Sequence, residues 1–446
     1  YDIANKMMQI LCKNYILNLF SSDIRIIDPF CGDGRLIISL LAELLKNPML
    51  SCKKIFISIW DIDDVAVKEA KHAIEGFCIS NKMQYEIDFC KTDAFVECEN
   101  ICVTNPPWGL LKPQKLFSKS NGKDVLNKYR EAIEQYDLFM KDAFSLSQPS
   151  SKFGKWGTNL ARCGTEVALR LIKRDGICGI VSPASLFNDQ VSNKLRDWIF
   201  EKFKVINISY YPAELKLYGS ADISSVTIVI KGGETDQSLN VRTYSNRDTY
   251  KEKKIDKAVF EYIKRTGYCI PLKTGIEAIP IMMNLEQLPS TKEFCDKANL
   301  HFTRELDETR VREKLLPAGN IEFAKGYMVD RYTFTGDSLF LNEDMVIPPQ
   351  SSYMSKVVWR DVSRDSQIRR IKATLLPPGY ICGNSLGVIC GNETDLPSLK
   401  MLLAIMNSMV YEYQARSMLV SNHVSAGIVK QIRVPQTDMV AGIVEL

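Results

Sequence analysis

Along the first half of the chain, hydrophobic residues recur in two alternating rhythms. Short apolar runs at Ile24 to Phe30, Lys54 to Asp61, Tyr85 to Asp93, Ile101 to Thr104 and Gly176 to Val181 each stop at polar or turn residues, which predicts buried strands. Between them, apolar positions return at helical spacing over Leu36 to Leu45, Val65 to Ile79, Tyr129 to Leu146, Ala161 to Lys173 and Ser192 to Phe203. Val205 to Tyr211 and Val226 to Lys231 close the region as two strands with no helix between them, so they should pair antiparallel. Strands alternating with helices predict an α/β fold: a doubly wound, mostly parallel sheet of seven strands.

The rhythm is interrupted twice. Residues 110–163 form an insertion rich in Lys, Ser and Gly, with Lys112-Pro113, Ser120-Asn121-Gly122 and Pro149-Ser150-Ser151 as turn signals. At the carboxyl end of a strand, such an insertion is either an active-site cover or a loop of no chemical role. Residues 246–257 are charge-dense and read as a linker. Beyond them the alternation is lost, and turn signals recur at Ala318-Gly319-Asn320, Thr335-Gly336-Asp337, Pro348-Pro349 and Pro377-Pro378-Gly379, with one clear helix at Leu396 to Arg416. The expected organisation is a first domain at 1–245, the linker, and a second, mixed α+β domain at 258–446.

Composition narrows the class without naming it. The 446 residues carry a formal net charge of +4, which permits a nucleic-acid partner without requiring one. Thirteen cysteines lie at scattered spacings, among them Cys31, Cys90, Cys102, Cys178 and Cys390; none forms a Cys-x-x-Cys pair, and only His72, His301 and His423 are histidines. That set suits neither a zinc site nor a disulfide framework, so no metal and a reducing, cytoplasmic setting are expected. No apolar run is long enough to span a bilayer, so no membrane partner is expected. The chain opens at Tyr1 inside an apparent helix, so sequence ahead of it is expected to be missing.

The candidate chemistry is concentrated at Asn105-Pro106-Pro107-Trp108, where the run Ile101-Cys102-Val103 ends. Two prolines fix φ and remove two backbone donors, and Pro106 biases Asn105 toward an extended conformation. The resulting turn displays acceptors, the Asn105 side-chain oxygen and the Pro106 carbonyl, that can take the two hydrogens of an exocyclic amine. Trp108 offers a flat face to a ring. The plain alternative is a rigid loop with Trp108 in the core.

The other strand ends carry complementary groups. The first strand leads into Asp28-Pro29-Phe30-Cys31-Gly32-Asp33-Gly34, a glycine turn before a helix. Such a turn lets a ligand approach the backbone and aims helix N–H groups at a negative charge. The spacing is not Gly-x-Gly-x-x-Gly, and Asp28 and Asp33 would repel pyrophosphate but hold an ammonium. A zwitterion such as the methionine part of S-adenosylmethionine fits better. The second strand ends at Trp60-Asp61-Ile62-Asp63, where Asp61 can grip ribose hydroxyls, Ile62 can pack on adenine, and Asp63 is the better helix cap. The third ends at Thr92-Asp93-Ala94, where Asp93 can accept from the adenine amine. Each acid alone is more often a helix cap or a solvated strand end. Together they line the edge where doubly wound sheets bind ligands.

In this order, Asp-Pro-Phe-Cys-Gly-x-Gly, Asp-Ile-Asp, Thr-Asp-Ala and Asn-Pro-Pro-Trp, the chain resembles the γ-ordered, adenine-specific DNA methyltransferases of type II restriction–modification systems that accompany enzymes cutting beside short asymmetric sites. The resemblance covers essentially the whole chain. Arg174-Asp175-Gly176 through Pro183 is similar to the family's fifth strand, and Tyr1 to Met8 to the end of the motif that precedes the cofactor turn. It implies a Rossmann-like methyltransferase that transfers the sulfonium methyl of S-adenosylmethionine to the N6 amine of a flipped-out adenine, without a metal. Asn105, Pro106, Pro107 and Trp108 would be catalytic. Asp28, Pro29, Phe30, Gly32, Gly34, Asp61, Ile62, Asp93 and Ala94 would bind cofactor. Tyr218 would clamp the second face of the base, with Tyr210 and Tyr211 as rivals.

The resemblance also makes the second domain a target-recognition domain on double-stranded DNA. Arg331-Tyr332, Trp359-Arg360, Arg369-Arg370 and Lys372 interleave basic and aromatic groups suited to phosphates and base edges, though a charge run is usually a solvated face, and Asp361 and Asp365 dilute this one. Met406-Asn407-Ser408 and Ser425-Ala426-Gly427 to Val434-Pro435 are similar to the end of such domains. His423 is expected to be structural. A monomer is expected, working beside a separate cognate restriction endonuclease and a second methyltransferase for the other strand. Two alternatives stay open: an RNA or protein-glutamine methyltransferase sharing the Asn-Pro-Pro-aromatic turn, and a DNA-specificity module with a decayed catalytic domain.

Overall fold

The computed structural model describes residues 2–15, 23–47, 53–94, 101–111, 123–148, 158–189, 191–218, 223–233, 238–336, 339–342, 346–364, 367–419 and 422–435. The turn signals expected at 112–113, 120–122 and 149–151, together with Tyr1 and Asp365, lie outside the described residues. The chain divides into two compact units, Tyr1–Leu272 and Lys273–Leu446.

In the first unit, strands β1 (Ile24–Asp28), β2 (Ile55–Asp61), β3 (Tyr85–Lys91), β4 (Ile101–Thr104), β5 (Ile177–Pro183), β6 (Phe203–Tyr211), β7 (Ser225–Gly232), β8 (Asn240–Tyr244) and β9 (Tyr250–Lys254) form one sheet in the order β3-β2-β1-β4-β5-β7-β6-β8-β9. β1 to β5 are parallel, and β7 runs antiparallel between β5 and β6. Helices α1 (Asp2–Tyr15), α2 (Arg35–Leu44), α3 (Asp64–Ser80), α4 (Lys123–Ala143), α5 (Leu160–Arg170), α6 (Asn193–Lys202) and α7 (Lys257–Arg265) complete the unit. The core is the apolar face of this sheet. Ile24, Ile26, Ile55, Ile57, Ile59 and Val103 are buried with Ile37, Leu40 and Leu41 of α2 and Ala70 and Ile74 of α3.

The sheet has nine strands where seven were expected. Residues 246–257, expected as a linker, contain β9, which pairs antiparallel with β8, itself parallel to β6. Every residue of β9 is exposed, Lys251, Glu252, Lys253 and Lys254 included. A charged edge strand blunts strand-to-strand aggregation and has the composition of a linker. The unit boundary falls at 272/273, because Tyr268 stacks on Phe200 of α6 at 4.6 Å and ties the segment after α7 to the first unit.

In the second unit, β10 (His301–Thr303), β15 (Ser355–Arg360), β16 (Ala373–Leu376) and β18 (Leu386–Gly391) form an antiparallel sheet in the order β10-β18-β15-β16. β11 (Ile321–Ala324), β14 (Phe340–Leu341) and β17 (Tyr380–Cys382) form a second sheet, and β12 (Val329–Asp330) pairs with β13 (Thr333–Phe334). The helices are α8 (Ala278–Leu285), α9 (Thr291–Lys297), α10 (Glu308–Val311), α11 (Leu396–Met406), α12 (Met409–Met418) and α13 (Ala426–Val429). The single helix expected at Leu396 to Arg416 is broken in two. Asn407 turns its amide onto the Ala373 backbone, and the Ser408 hydroxyl accepts from Tyr411 N at 3.2 Å to cap α12. Trp359 is fully buried and donates Nε1 to Val424 O at 2.8 Å. No described helix is long and apolar enough to cross a membrane.

Candidate active site

Strand order fixes where the site can be. β2 and β3 lie on one side of β1, and β4 and β5 on the other, so the crossovers reverse direction between β1 and β4. Turns leaving the carboxyl ends of those two strands cannot close over the gap between them, which is where doubly wound sheets hold ligands. The turn Pro29–Gly34 leaves β1 there, and Asn105–Trp108 leaves β4 beside it.

A cavity of about 870 Å³ opens at this point. That volume is within the range of about 300–1,000 Å³ ordinary for small-molecule sites. Pro29, Phe30, Gly32, Asp61, Ile62, Asp93, Ala94, Asn105, Pro107 and Tyr218 all line it, so the ends of four strands meet in one space. Asp28, Gly34, Pro106 and Trp108 stand behind the wall.

Asp28 is fully buried and accepts from Phe30 N at 3.2 Å, so it shapes the turn from below and cannot reach an ammonium in the cavity. Burial pushes its carboxyl up to about 7; the Phe30 amide and the nearby Thr104 hydroxyl favour the charge, and Asp61 disfavours it. Asp28 Oδ2 and Thr104 Oγ1 make no hydrogen bond of full geometry among the described residues. Gly34 takes φ 77° at the start of α2, and a Cβ there would stand 3.2 Å from Ala70 of α3. It is a packing glycine. Gly32, at φ 49°, has open space where a side chain would point.

Asp61 accepts from Gly32 N and Asp63 N, both at 3.0 Å, which ties the ends of β1 and β2 together while the carboxylate still faces the cavity. Asp63 caps α3 by accepting from Val65 N at 2.9 Å, the lesser role expected of it. Asp93 accepts from Tyr136 Oη at 2.5 Å. Burial, and then Asp93, push the Tyr136 hydroxyl well above the phenol range, so it remains a donor.

At the β4 turn, Asn105 and Pro107 are exposed to the cavity while Pro106 is buried against α5. Trp108 packs on the edge of the core and meets Tyr218 edge to face, ring centres 4.7 Å apart. A base cannot lie between two rings that touch, so the sandwich expected of this pair requires their separation. Trp108 Nε1 and Tyr218 Oη are both buried without a hydrogen-bond partner among the described residues. The rivals Tyr210 and Tyr211 are core residues, with Tyr211 stacked on Tyr244 at 4.6 Å.

Three contributors escaped sequence reasoning. Leu111, Tyr136 and Leu160 bring the insertion into the cavity wall, its two ends pinned by Leu111 N to Thr158 O and Leu160 N to Gly109 O, each 2.9 Å. Arg247 arrives from the turn between β8 and β9, hidden in the supposed linker. Asp2 and Ala4 come from α1.

No model of a known protein family matches the chain, and no curated protein matches it in sequence. Solved structures do match. The type IIL restriction–modification enzyme MmeI in complex with DNA is 11% identical, with a TM-score of 0.57 over 99% of this chain and 66% of that one. The DrdV–DNA complex is 10% identical, with a TM-score of 0.55 over 100% and 56%. A nuclease-deletion mutant of the type ISP restriction–modification enzyme LlaGI, in complex with a DNA substrate mimic, is 11% identical, with a TM-score of 0.53 over 97% and 52%. This chain shares their fold. It is an α/β fold with a doubly wound, mostly parallel sheet, and a mixed second unit follows it in the chain. It spans between about half and two-thirds of the length of these enzymes.

The lining chemistry suits a cationic zwitterion better than a dinucleotide. Asp2, Asp33, Asp61 and Asp93 face the space against Arg35 and Arg247, and Arg35 is already paired with Asp33. Four carboxylates attract an ammonium and a sulfonium and repel pyrophosphate. Among the described residues, no group of three or more His, Cys, Asp or Glu is placed to share a metal ion. In the second unit, Arg331 and Arg369 line a separate hollow, whereas Arg370 is buried and Arg360 spends its guanidinium on Gly326 O, Tyr327 O and Val329 O. His423 Nδ1 pairs with Asp361 Oδ2 at 2.8 Å, a structural contact.

Proposed function

We propose that the chain is the methyltransferase portion of a restriction–modification enzyme, and that it methylates the N6 amine of adenine in duplex DNA. The observation that carries this reading is the convergence of the Asn105-Pro106-Pro107 turn and the acid-bearing ends of β2 and β3 on one cavity at the sheet's crossover point. Gly32, Asp61, Ile62 and Asp93 would hold S-adenosylmethionine, which when bound supplies an electrophilic sulfonium methyl. Arg247, a cation of the lining, is suited to its carboxylate.

The chain's own residues do the rest. The adenine amine is a weak nucleophile because its lone pair is delocalised into the ring. Asn105 Oδ1 and the Pro106 carbonyl accept its two hydrogens, draw the nitrogen toward a tetrahedral shape and localise the pair. Acceptor dipoles fixed in advance by two prolines stabilise the positive charge that develops on nitrogen without reorganising during reaction. A paired base cannot reach the cavity, so it must flip out at a cost of about a few kcal/mol. Stacking on Trp108 and Tyr218, once they part, offsets some of that cost. The second unit supplies contacts to the duplex.

The test is methyl incorporation from labelled S-adenosylmethionine into DNA, RNA and protein, with modified adenines mapped in the DNA product. DNA alone should be labelled, at N6. Asn105→Ala should abolish transfer and leave cofactor binding intact. Labelling of RNA or protein in preference to DNA, or normal transfer by Asn105→Ala, refutes the reading.

A further inference from the structure

The second unit holds a hollow of about 390 Å³ lined by Asp330, Arg331, Gln367, Ile368, Arg369 and Lys372. Three cations face one acid there. The acid is already engaged: Lys372 Nζ lies 2.8 Å from Asp330 Oδ2 and holds that carboxyl below its ordinary range. Two guanidiniums remain, and both are docked on the short break between α11 and α12. Arg331 Nη2 donates to Asn407 O at 3.2 Å, and Arg369 Nη1 donates to Ser408 O at 3.3 Å. These are consecutive carbonyls at the break between two helices: Asn407 ends α11, and Ser408 begins α12.

The loop carrying Arg369 is built from within. Glu412 of α12 is buried and accepts from Arg370 N at 2.8 Å and Ile371 N at 2.9 Å. Arg416, bonded to the same carboxylate at 2.6 Å, donates to Gln367 O at 2.6 Å and Ile368 O at 3.1 Å. Gln367, Ile368, Arg370 and Ile371 are thereby held from one side: Arg370 turns inward, and Arg369, between them, lines the hollow. Arg331 is half-buried, and its Nε is buried with no hydrogen-bond partner among the described residues.

We propose that this hollow binds a phosphodiester group of the DNA backbone, an inference that rests on the reading of DNA as substrate. Two guanidinium forks side by side match the oxygens of one phosphate, and Lys372 adds a point charge. Among the described residues no aromatic side chain lines the hollow, so none offers a nucleobase a face to stack on. The site positions the duplex and carries no sequence information.

The experiment is duplex binding by the full chain at a series of salt concentrations, on cognate and scrambled sequences, with S-adenosylmethionine binding as the control for folding. Arg369→Ala should weaken binding to both sequences by the same factor and lower the slope of log K against log salt by about 0.9, the signature of one lost phosphate contact. Arg369→Lys should keep most of the slope. An unchanged slope in Arg369→Ala, or a loss confined to the cognate sequence, overturns the proposal. Competition by inorganic phosphate at matched ionic strength, at low millimolar concentration, reassigns the hollow to a free anion. A wild-type chain that binds neither duplex at any salt refutes the DNA reading itself, an outcome distinct from a wild-type chain that binds and a variant that binds equally well.

Discussion

Gly164 of α5 touches the Pro106 ring so closely that a Cβ built on it would stand 2.3 Å from Pro106 Cβ. The same position is 3.3 Å from Phe30 Cε2, in the turn after β1. A glycine inside a helix costs about 1 kcal/mol relative to alanine, so its presence needs a packing reason. The reason is that one point on α5 supports both turns of the site. Gly164→Ala should displace Pro106 and lower single-turnover methyl transfer by about 100-fold, the penalty typical of an ångström-scale misplacement. Cofactor affinity, read by titration, should change little. Wild-type transfer by Gly164→Ala would show that α5 does not set the turn.

Tyr136 ties the insertion to the end of β3 through Asp93, at the wall proposed to hold the cofactor. Tyr136→Phe removes a hydrogen bond to a charged group, worth about 1.5–3 kcal/mol. The KM for S-adenosylmethionine should rise by roughly 10-fold or more, in keeping with that energy, while kcat stays within about twofold. A fall in kcat at unchanged KM would instead place Tyr136 with the methyl acceptor.

Asp28 makes stability depend on pH in an unusual direction. Its folded value of about 7 lies above the unfolded value of 3.8, so the unfolded chain releases the proton first. Between about pH 4 and pH 7 the unfolded state therefore binds fewer protons, and stability falls as pH rises. The cost is absent below that window and complete above it. In urea denaturation, Asp28→Asn should gain on the wild type across the window by at most about 1.4 kcal/mol per pH unit. Parallel pH curves for the two proteins would mean that Asp28 is ionised throughout.

Lys356 and Glu305 form a fully buried ion pair in the second unit, Nζ to Oε1 2.7 Å. Ser351 Oγ and Cys382 N complete the carboxylate's shell, and Lys356 also reaches Tyr380 O at 2.8 Å. Lys356→Met leaves a buried, uncompensated charge and should destabilise the full chain by about 3–5 kcal/mol in chemical denaturation. The double replacement Lys356→Met with Glu305→Leu should recover most of that loss, because both charges are then gone. A double variant no more stable than the single would assign the effect to packing.

Local pattern was enough for the sheet that carries the site. Strand spacing identified β1 to β7, the missing helix between β6 and β7 foretold their antiparallel pairing, and the polar residues ending β1 to β4 marked one edge. Period and turn chemistry are local properties, and they survive in a single sequence. What local pattern misjudged were elements whose composition serves a neighbour. β9 is charged at four of its five positions because it is an edge, and Asn407 breaks a helix because Ala373 lies across from it.

Residue type and order alone singled out the candidates: an Asn-Pro-Pro turn, acids at strand ends, a glycine turn before a helix. Their stations came from the packing of distant segments. It sank Asp28 beneath the turn, turned Gly34 and Gly164 into packing contacts, carried Tyr136 and Arg247 from distant segments into the cavity, and separated Arg369 from its buried neighbour Arg370. The physical reason is that a residue's type follows from its own chemistry, whereas its burial and partners depend on chain segments tens to hundreds of positions away, which no local period encodes.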